Sequence, residues 1–536
     1  MSAPLRSGPR PLAARLALPA MLALGALQTL AFAPTPRGGW LQLLVMACAC
    51  ALIGQARRPR DGALRGLLFG FGNLVSGVYW LYVSMHDFGA MAAPLAIATL
   101  VLFTLYLALY AALAGGVWTA LRAARSTARF PALHGWVGAL IDALLFGAAW
   151  TGGEWLRGTV FTGFPWLSIG YSHVDSPLAG FAPWLGVYGV SFAAATTAAL
   201  LAAAGARLRA RPAHGIGLLT AAAVVLATGA ALAPIRFTAP DGPVLTLRLL
   251  QGNVPQDMKF GEAGVRRAMQ QYRALLTARP ADLVVTPETA YPILSSQFPE
   301  ADILALRAFA QRSGSALLIG AIGVDYGADG RAVAYTNSMF GIRPDQQAVY
   351  RYDKHHLVPF GEFVPWGFRW LVDLMHIPLG ELARGAVAQD PFLVKGRPVA
   401  VDICYEDIFG EEIARTLRHQ SVTAGILINS TNLAWFGNTI ALDQHLQIAR
   451  MRALETQRPM ARATNTGVSA AIDAHGRVHA RLPVFTEGAL DTSLQPMRGL
   501  TPYIRFGNTT VLSLVLLLLA AGAALRIFGR KAPGQE

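Results

Sequence analysis

The chain has 536 residues, of which 54% are hydrophobic and only 14% are charged, whereas charged residues make up about 25% of ordinary soluble domains. This composition predicts a membrane protein. The formal net charge is +14, yet residues 237–505 carry 26 of the 45 basic and 25 of the 31 acidic residues and are nearly neutral. Because the basic excess flanks hydrophobic segments instead of forming one basic surface, we do not expect nucleic-acid binding.

Eight apolar segments are long enough to cross a bilayer as helices. They lie at about 12–34, 38–56, 63–85, 90–121, 135–156, 183–205, 213–234 and 509–527. The first segment also resembles a cleavable signal peptide, since a basic stretch and an apolar run precede the residues AFA at 31–33. Its removal would leave seven helices and would put the termini on opposite sides, so we expect the segment to be retained.

The connecting loops predict the orientation of these helices. Arginines cluster before the first helix, between the second and third, after the fourth, after the sixth and at the C-terminus, whereas the alternate loops hold only Arg37, Arg157 and Arg236. Because basic loops stay in the cytoplasm, both termini are predicted to be cytoplasmic and residues 237–505 to lie on the other side of the membrane.

Residues 237–505 have a different pattern from the rest of the chain. Short β-rich runs ending in polar residues alternate with helical patterns at 262–278, 300–312 and 440–457. This alternation predicts an α/β or layered sandwich domain. We therefore expect a membrane domain with seven helices at 1–236, this α/β domain at 237–505, and an eighth helix with a cytoplasmic tail at 506–536.

Three predicted strand ends carry reactive side chains, namely Glu288, Lys354 and Cys404. A carboxylate, an ammonium and a thiol are the general base, oxyanion stabiliser and nucleophile that thiol-mediated acyl transfer requires. Taken singly, each has a structural alternative: a surface acid, a solvated base and a buried small hydrophobe. His355 and His356 have no second ligand pair at a suitable spacing, so we predict no metal site.

The carboxylates beside Cys404 affect its reactivity in opposite ways. Asp402 lies two residues before the thiol on one strand face, and a negative neighbour raises the pKa of a thiol. Glu406 and Asp407 are predicted to begin the next helix, whose N-terminal dipole would favour a thiolate. For Asp402 we predict only a buried partner on its strand face.

Three stretches resemble the Glu-Lys-Cys signature of the nitrilase, or carbon–nitrogen hydrolase, superfamily. They are TPETAYP at 286–292, DKHHLVPFGEFVP at 353–365 and DICYEDIFG at 402–410. The whole layout resembles the apolipoprotein N-acyltransferase family of bacterial inner membranes, with seven helices, a periplasmic nitrilase-like domain and an eighth helix. EWLRG and GFPWLSIGYS within 154–172, QGNVPQ at 251–256 and RATNTG at 462–467 are also similar.

This resemblance implies an αββα sandwich, no cofactor, and transfer of a fatty acyl group from a membrane phospholipid to the α-amino group of a diacylglyceryl apolipoprotein. Cys404 would be the nucleophile, Glu288 the general base and Lys354 the ammonium beside the oxyanion. The supporting residues would be Glu362, Tyr405 and Glu406. The catalytic domain would be periplasmic, and Glu406 would brace the site.

Several residues are candidates for contact with lipid or substrate. They are Phe260, Trp366, Phe368, Trp370, Trp435, Phe164 and Trp166. The segment after Glu362 is predicted either to dip into the outer leaflet or to be an ordinary buried helix, and residues 432–438 to be a mobile lid. Phe260 and Thr286 occupy positions where the family typically has tryptophan, which leaves the packing of substrate open.

Two other functions fit parts of the pattern. A membrane-anchored amidase or nitrilase would use the same three groups with water as acceptor. A transporter or binding scaffold would need more ionisable residues inside its helices than Asp142 and Glu154. The acyltransferase function accounts for both the reactive groups and the membrane helices.

Overall fold

A computed structural model describes residues 12–125, 135–256, 261–367, 369 and 381–528. The hydrophobic N-terminal part is helical, as its long apolar runs predict. Its helices are α1 (Leu12–Gln28), α2 (Gly39–Ile53), α3 (Pro59–Gly77), α4 (Trp80–Val83), α5 (Ala93–Arg125), α6 (Gly135–Arg157), α7 (Ala182–Gly205) and α8 (Pro212–Leu232). Phe260, Phe368, Trp370 and most of the predicted outer-leaflet segment lie outside the described residues.

The helices differ in their ability to span a membrane. Within the described ranges, five are long and apolar enough, including Thr509–Ile527 near the C-terminus, and α3 with the turn ending at Phe88 makes a sixth if this pair, bent by 49°, counts as one span. Leu16–Ala31 and Gly39–Ile53 are apolar but shorter. Every predicted apolar segment thus contains a helix, while the number of eight spans stays a prediction.

Small residues allow α3 and α5 to pack with their backbones in contact. A Cβ atom at Gly66 would lie 2.3 Å from the carbonyl oxygen of Ala111, and one at Gly62 would lie 2.1 Å from Thr119 Oγ1. Such close approach supplies the van der Waals contact that holds helices together in lipid, where the hydrophobic effect between helices is absent.

The remaining elements form the α/β domain and the C-terminal helices. The strands are β1 (Ala239–Pro240), β2 (Leu245–Gln251), β3 (Leu283–Val285), β4 (Tyr291–Leu294), β5 (Ala316–Tyr326), β6 (Ala332–Ile342), β7 (Tyr350–Asp353), β8 (Phe392–Val394), β9 (Arg397–Ile403), β10 (Ile426–Thr431), β11 (Met460–Thr464), β12 (Ala470–Ile472), β13 (Val478–Arg481), β14 (Gly488–Leu494) and β15 (Met497–Arg498). The helices are α9 (Glu262–Thr277), α10 (Glu300–Ser313), α11 (Gly410–His419), α12 (Ala441–Thr456), α13 (Pro502–Phe506) and α14 (Thr509–Phe528).

Two sheets pack face to face. One has the strand order β14-β2-β3-β5-β6-β7, with β4 also paired to β5, and the other has the order β13-β12-β11-β10-β9-β8. Their inner faces share one hydrophobic core that includes Leu247, Leu249 and Leu318 from the first sheet and Val401 and Ile428 from the second. Because successive side chains of a strand point to opposite faces of the sheet, the alternate apolar residues lie on the outer faces.

Helices cover both outer faces. Leu250 on β2 packs in a cluster with Tyr272 of α9 and Leu306 of α10. On the second sheet, Leu427 of β10 packs with Leu446 of α12. The layers therefore run helix, sheet, sheet, helix, and the predicted αββα sandwich is confirmed.

The two segments that join the α/β domain to the membrane helices lie next to each other. β1 pairs antiparallel with β15, so the chain enters and leaves the domain side by side. Gln457 accepts a hydrogen bond from the Phe237 N–H at 2.8 Å, and the next residue, Arg458, donates to the Gly499 carbonyl at 2.8 Å. Two consecutive residues thus bind the incoming and the outgoing strand.

The segments that connect membrane helices and contain no arginine cluster contact the α/β domain. The Ala33 N–H, after α1, donates to Gln447 at 3.1 Å. The indole N–H groups of Trp80, after α3, and Trp166, after α6, donate to Gln444 Oε1 at 3.3 Å and 2.8 Å. The α/β domain therefore rests on one end of the helical bundle.

Candidate active site

The three predicted reactive side chains lie together at the ends of strands from both sheets. Glu288 follows β3, Lys354 follows β7, and Cys404 follows β9. The Lys354 ammonium lies 3.3 Å from Glu288 Oε1 and 2.9 Å from Glu362 Oε1. The charges of Glu288 and Lys354 both act on the Cys404 thiol. One small site therefore contains a carboxylate, an ammonium and a thiol.

Lys354 is a permanently charged group in this site. Its side chain is only 1% exposed. Burial disfavours the ammonium, but the carboxylates of Glu288 and Glu362 outweigh this effect and raise the pKa of Lys354 above its ordinary value. The ammonium can therefore act as a fixed positive charge and cannot serve as a base at neutral pH.

Glu288 is oriented by hydrogen bonds to both of its oxygens. Asn337, on β6, donates from Nδ2 to Glu288 Oε1 at 2.7 Å and to Glu362 Oε1 at 2.8 Å. The backbone N–H of Asn432 donates to Glu288 Oε2 at 2.9 Å. Asn337 was not among the residues predicted from the sequence, where its signal is the polar run Thr336, Asn337 and Ser338 inside a strand.

Thr286, one of the two departures from the family pattern, is fully buried beside the site. Its hydroxyl donates to the Pro287 carbonyl at 3.1 Å and accepts from the Gly320 N–H at 2.9 Å. Its own carbonyl accepts from the Ser430 hydroxyl at 3.0 Å. Thr286 therefore ties the segment before Glu288 to both sheets.

Cys404 has an unusual backbone conformation. Its φ angle is 53°, in the left-handed region that non-glycine residues rarely adopt. It begins a short 3-10 turn, Cys404–Ile408, and Asn429 Nδ2 donates to its carbonyl at 3.2 Å. Strained conformations of this kind persist where the surrounding structure fixes them, often at functional sites.

The thiol of Cys404 is protonated at rest. Burial raises the pKa of Cys404, the charge of Glu288 raises it further, and the ammonium of Lys354 opposes both effects. The predicted help from a helix N-terminus is wrong, because the 3-10 turn separates Cys404 from α11, which begins only at Gly410. The thiol consequently needs a base if it is to attack a carbonyl group.

Glu406 lies in the 3-10 turn and not in the first turn of an α-helix. Its carboxylate accepts from the backbone N–H groups of Ile403 and His355, each at 2.6 Å, and from the Tyr352 hydroxyl at 2.9 Å. Burial raises the pKa of Glu406 to about 7, against these hydrogen bonds. Glu406 thus connects the Cys404 turn to the segment that carries Lys354.

Asp402 has the buried partner that the sequence predicted. Asn429 Nδ2 donates to Asp402 Oδ1 at 2.5 Å, and the same amide reaches the carbonyl of Cys404. Burial, together with the neighbouring Asp407, raises the pKa of Asp402 well above its ordinary value. Asp402 therefore orients Asn429 under the Cys404 turn.

The side chains of the two histidines that follow Lys354 contact other groups of the protein. His356 Nδ1 lies 2.9 Å from Glu412 Oε1, and its ring stacks on Phe409 with 3.6 Å between centroids. His355 Nδ1 lies 3.0 Å from the Gly385 carbonyl. Across the described part of the chain, no group of three or more His, Cys, Asp and Glu side chains is arranged to hold a metal ion.

The aromatic candidates occupy different environments. Phe164 and Trp166 are buried, and their rings stack at 6.2 Å. Trp366 is 98% exposed, and Trp435 is 39% exposed. The Tyr405 hydroxyl donates to the Gly163 carbonyl at 3.2 Å, which joins the residue after Cys404 to the connection that follows α6. The lid at 432–438 stays a prediction.

Comparison with known proteins agrees with this architecture. A family model described as the apolipoprotein N-acyltransferase N-terminal domain matches residues 24–200. A second model, described as carbon–nitrogen hydrolase, matches residues 247–503. The two matches correspond to the helical part and to the αββα domain.

Several curated relatives match the chain over nearly its whole length. An apolipoprotein N-acyltransferase of Ralstonia nicotianae is 52% identical over 512 residues, which cover 96% of this chain and 94% of the relative. One of Bordetella bronchiseptica is 44% identical over 94% of this chain and 96% of the relative. One of Nitrosomonas europaea is 44% identical over 92% of this chain and 94% of the relative. The chain therefore belongs to the apolipoprotein N-acyltransferase family.

Proposed function

We propose that this protein transfers a fatty acyl group from a membrane phospholipid, through a thioester on Cys404, to the α-amino group of a diacylglyceryl apolipoprotein. The observation that carries the proposal is the cluster of Glu288, Lys354 and Cys404 beside the helical bundle. The names of the relatives support the class of reaction. The thioester and the phospholipid donor rest on the chemistry of the three groups.

In the first step, Glu288 accepts the proton of the Cys404 thiol, and the thiolate attacks the ester carbonyl of the phospholipid. The Lys354 ammonium and the backbone N–H of Tyr405 stabilise the oxyanion that forms. The tetrahedral intermediate then collapses. The bond to the glycerol oxygen breaks, Glu288 returns its proton to that oxygen, and a lysophospholipid leaves the acyl group on the sulfur.

In the second step, the free amine of the apolipoprotein attacks the thioester carbonyl. Glu288 accepts a proton from the attacking nitrogen, the bond to sulfur breaks, and Cys404 recovers its proton from Glu288. The product carries a new amide bond. Because the thioester is higher in energy than the amide, this step needs no nucleotide cofactor. The family resemblance implies no other cofactor.

The supporting residues have roles that their contacts favour. Glu362 accepts from Lys354 and Asn337 and so fixes the position of the ammonium next to Glu288. Glu406 braces the Cys404 turn, and Tyr405 links that turn to Gly163. Because each of these residues orients a reacting group, we expect losses in rate when it is replaced.

We also propose that the protein lies in a bacterial inner membrane with eight spans. The connections at Ala33, Trp80 and Trp166, which contact the α/β domain, alternate along the chain with the arginine-rich connections. This alternation supports a periplasmic catalytic domain and cytoplasmic termini. The proposed boundaries are a membrane domain at 1–236, a catalytic domain at 237–505, and a last helix and tail at 506–536.

Lipid access is proposed along the aromatic residues that adjoin the site. Phe164 and Trp166 belong to the wall formed by the connection after α6, and Trp366 and Trp435 lie exposed where a bilayer surface could meet the domain. Phe260, Phe368 and Trp370 are proposed contacts from sequence alone. Trp and Phe side chains suit this place because they favour the membrane interface.

Mass spectrometry of the purified protein after incubation with phospholipid tests the mechanism. We expect an acyl adduct on Cys404 that is absent from Cys404→Ala and is discharged by a diacylglyceryl lipopeptide with a free amine. Acylation of the lipopeptide by Cys404→Ala would refute the thioester. Release of ammonia from a simple amide, with no lipid adduct, would instead favour the membrane-anchored amidase.

A further inference from the structure

The helix α12 (Ala441–Thr456) contacts the membrane domain near both of its ends, and we refer to it as the docking helix. Near its start, Gln444 accepts hydrogen bonds from Trp80 and Trp166. At its end, Glu455 Oε1 accepts from the Val187 N–H at 2.7 Å, where Gly186, with φ of 67°, breaks α7. The docking helix therefore fixes the seating of the catalytic domain on the bundle.

One residue of the docking helix, His445, also reaches the turn that carries the nucleophile. Its ring stacks on Trp166 with 5.5 Å between centroids and 3° between planes. Its Nε2 atom lies 2.8 Å from Asp407 Oδ1, and Asp407 belongs to the 3-10 turn that begins at Cys404. His445 is thus in contact with the membrane domain on one side and with the Cys404 turn on another.

A third residue completes the cluster. Arg462, on β11, donates to Asp407 Oδ2 at 2.6 Å, and its Nη2 lies 2.6 Å from His445 Nδ1. A guanidinium group can only donate, so His445 Nδ1 accepts and the ring hydrogen lies on Nε2, the ring atom close to Asp407 Oδ1. Burial lowers the pKa of His445, although Asp407 opposes this effect, so the imidazole is neutral.

The cluster is closed to solvent and to substrate. The side chains of His445, Asp407 and Arg462 are each at most 1% exposed. No member of the cluster can therefore touch the phospholipid or the apolipoprotein. A role in the reaction must pass through the backbone of Cys404–Ile408, whose first residue has the left-handed φ angle described above.

We propose that His445 is a positioning residue, which couples the seating of the catalytic domain on the membrane helices to the orientation of Cys404 through Asp407. This inference rests on the proposed function, since it assumes that Cys404 is the nucleophile. With its Asp407 contact intact, the turn presents the sulfur toward Glu288 and Lys354. Without that contact, the turn relaxes and the attacking geometry is lost.

Two variants of His445 in the full-length protein, reconstituted with phospholipid, test this proposal. His445→Ala removes the contact with Asp407, and we expect kcat for thioester formation to fall about 10-fold to 100-fold, the loss typical of a misplaced reacting group. KM for phospholipid should change less than kcat, because the ring does not touch lipid itself and meets the proposed lipid wall only through the buried Trp166. His445→Gln retains an N–H near the place of Nε2 and should restore most of kcat.

The matched control is Gln447→Ala. Gln447 lies on the same docking helix and accepts a hydrogen bond from the Ala33 N–H of the membrane domain, but its side chain makes no hydrogen bond to Asp407. We expect its kcat to equal that of the unmodified protein. A wild-type kcat in His445→Ala would overturn the proposal. So would a fall in melting temperature and kcat that is equal in the Ala and Gln variants, since that result indicates a purely structural role.

A second readout separates this proposal from the proposed function. Alkylation of Cys404 by iodoacetamide does not require acyl transfer, and its pH midpoint reports how the thiol sits relative to Glu288 and Lys354. We expect the midpoint to shift in His445→Ala and not in Gln447→Ala. If the unmodified protein forms no acyl adduct, the proposed function fails, and the alkylation midpoints still decide the role of His445.

Discussion

The side-chain amide nitrogen of Asn337 lies 2.7 Å from Glu288 Oε1, the same carboxylate oxygen that faces the Lys354 ammonium. This contact fixes the orientation of the Glu288 carboxylate, so Oε2 faces away from Lys354. The same nitrogen donates to Glu362 at 2.8 Å. Two negatively charged groups are therefore joined by one neutral donor, in addition to the ammonium. Hydrogen bonds to charged groups contribute about 1.5–3 kcal/mol each, so the amide is a large part of the electrostatic balance of the site.

We predict that Asn337→Ala lowers kcat for thioester formation by about 10-fold to 100-fold, because the lost hydrogen bonds correspond to about 1.4–2.8 kcal/mol in the transition state. The measurement is the single-turnover rate of Cys404 acylation. Asn337→Asp should be worse, since it adds a third carboxylate beside Glu288 and Glu362. An Asn337→Ala rate equal to that of the unmodified protein would contradict the proposed orienting role.

The reactivity of the thiol toward a small reagent should respond to Glu288 in the opposite sense to catalysis. The charge of Glu288 raises the pKa of Cys404. Glu288→Gln removes that charge, so the pH midpoint for alkylation of Cys404 by iodoacetamide should move to lower pH, while acyl transfer is lost with the base. Lys354→Met should move the same midpoint to higher pH. Midpoints that do not move would mean that these groups do not act on the thiol.

Asp402→Asn tests the buried carboxyl under the turn. The pKa of Asp402 is raised in the folded protein, so ionisation costs stability as the pH rises above the ordinary value of an aspartate. Asparagine can still accept from Asn429. We therefore expect a melting temperature that is higher than that of the unmodified protein at pH 8, and a smaller difference at pH 5. A variant less stable at pH 8 would show that the ionised carboxylate stabilises the fold.

The buried ion pair of the docking helix gives a prediction about stability. Arg452 and Glu455 are fully buried and 2.9 Å apart. Arg452→Met should destabilise the protein by about 3–5 kcal/mol, because it leaves an uncompensated charge. Adding Glu455→Gln, which can still accept from Val187, should recover most of the loss. Denaturant titration in detergent micelles measures both variants, and a double variant as unstable as Arg452→Met would contradict this account.

Much of the fold follows from local pattern. Apolar runs predicted where the membrane helices lie, and strand-then-polar runs predicted β3, β7 and β9 together with the side chains at their ends. Glu288, Lys354 and Cys404 could be recognised because each is a polar side chain at the end of a predicted buried strand, where α/β domains commonly place their sites. The docking of 441–456 on the bundle could not be predicted, since its contacts join residues hundreds of positions apart.

Other features depended on tertiary context. The residues after Cys404 favour an α-helix by their sequence pattern. In the structure they form a 3-10 turn, because the Glu406 carboxylate accepts hydrogen bonds from the Ile403 and His355 N–H groups. Asn337 lies in the middle of a strand, where nothing in the sequence indicates which neighbours it meets. From the sequence, Asp402 suggested a higher pKa and a less reactive Cys404 thiol. In the structure its carboxyl group accepts a hydrogen bond from Asn429, so its role is to orient that amide.

The pairing of β1 with β15, and the adjacent contacts of Gln457 and Arg458, make the catalytic domain an insertion whose two ends adjoin. Domains with neighbouring ends are those that tolerate excision and transplantation into another host chain. The helical bundle needs only a short spacer to close the gap between Phe237 and Gly499. The chain can thus be regarded as a helical bundle with a second domain inserted before its last helix, and Cys404 belongs to the inserted domain.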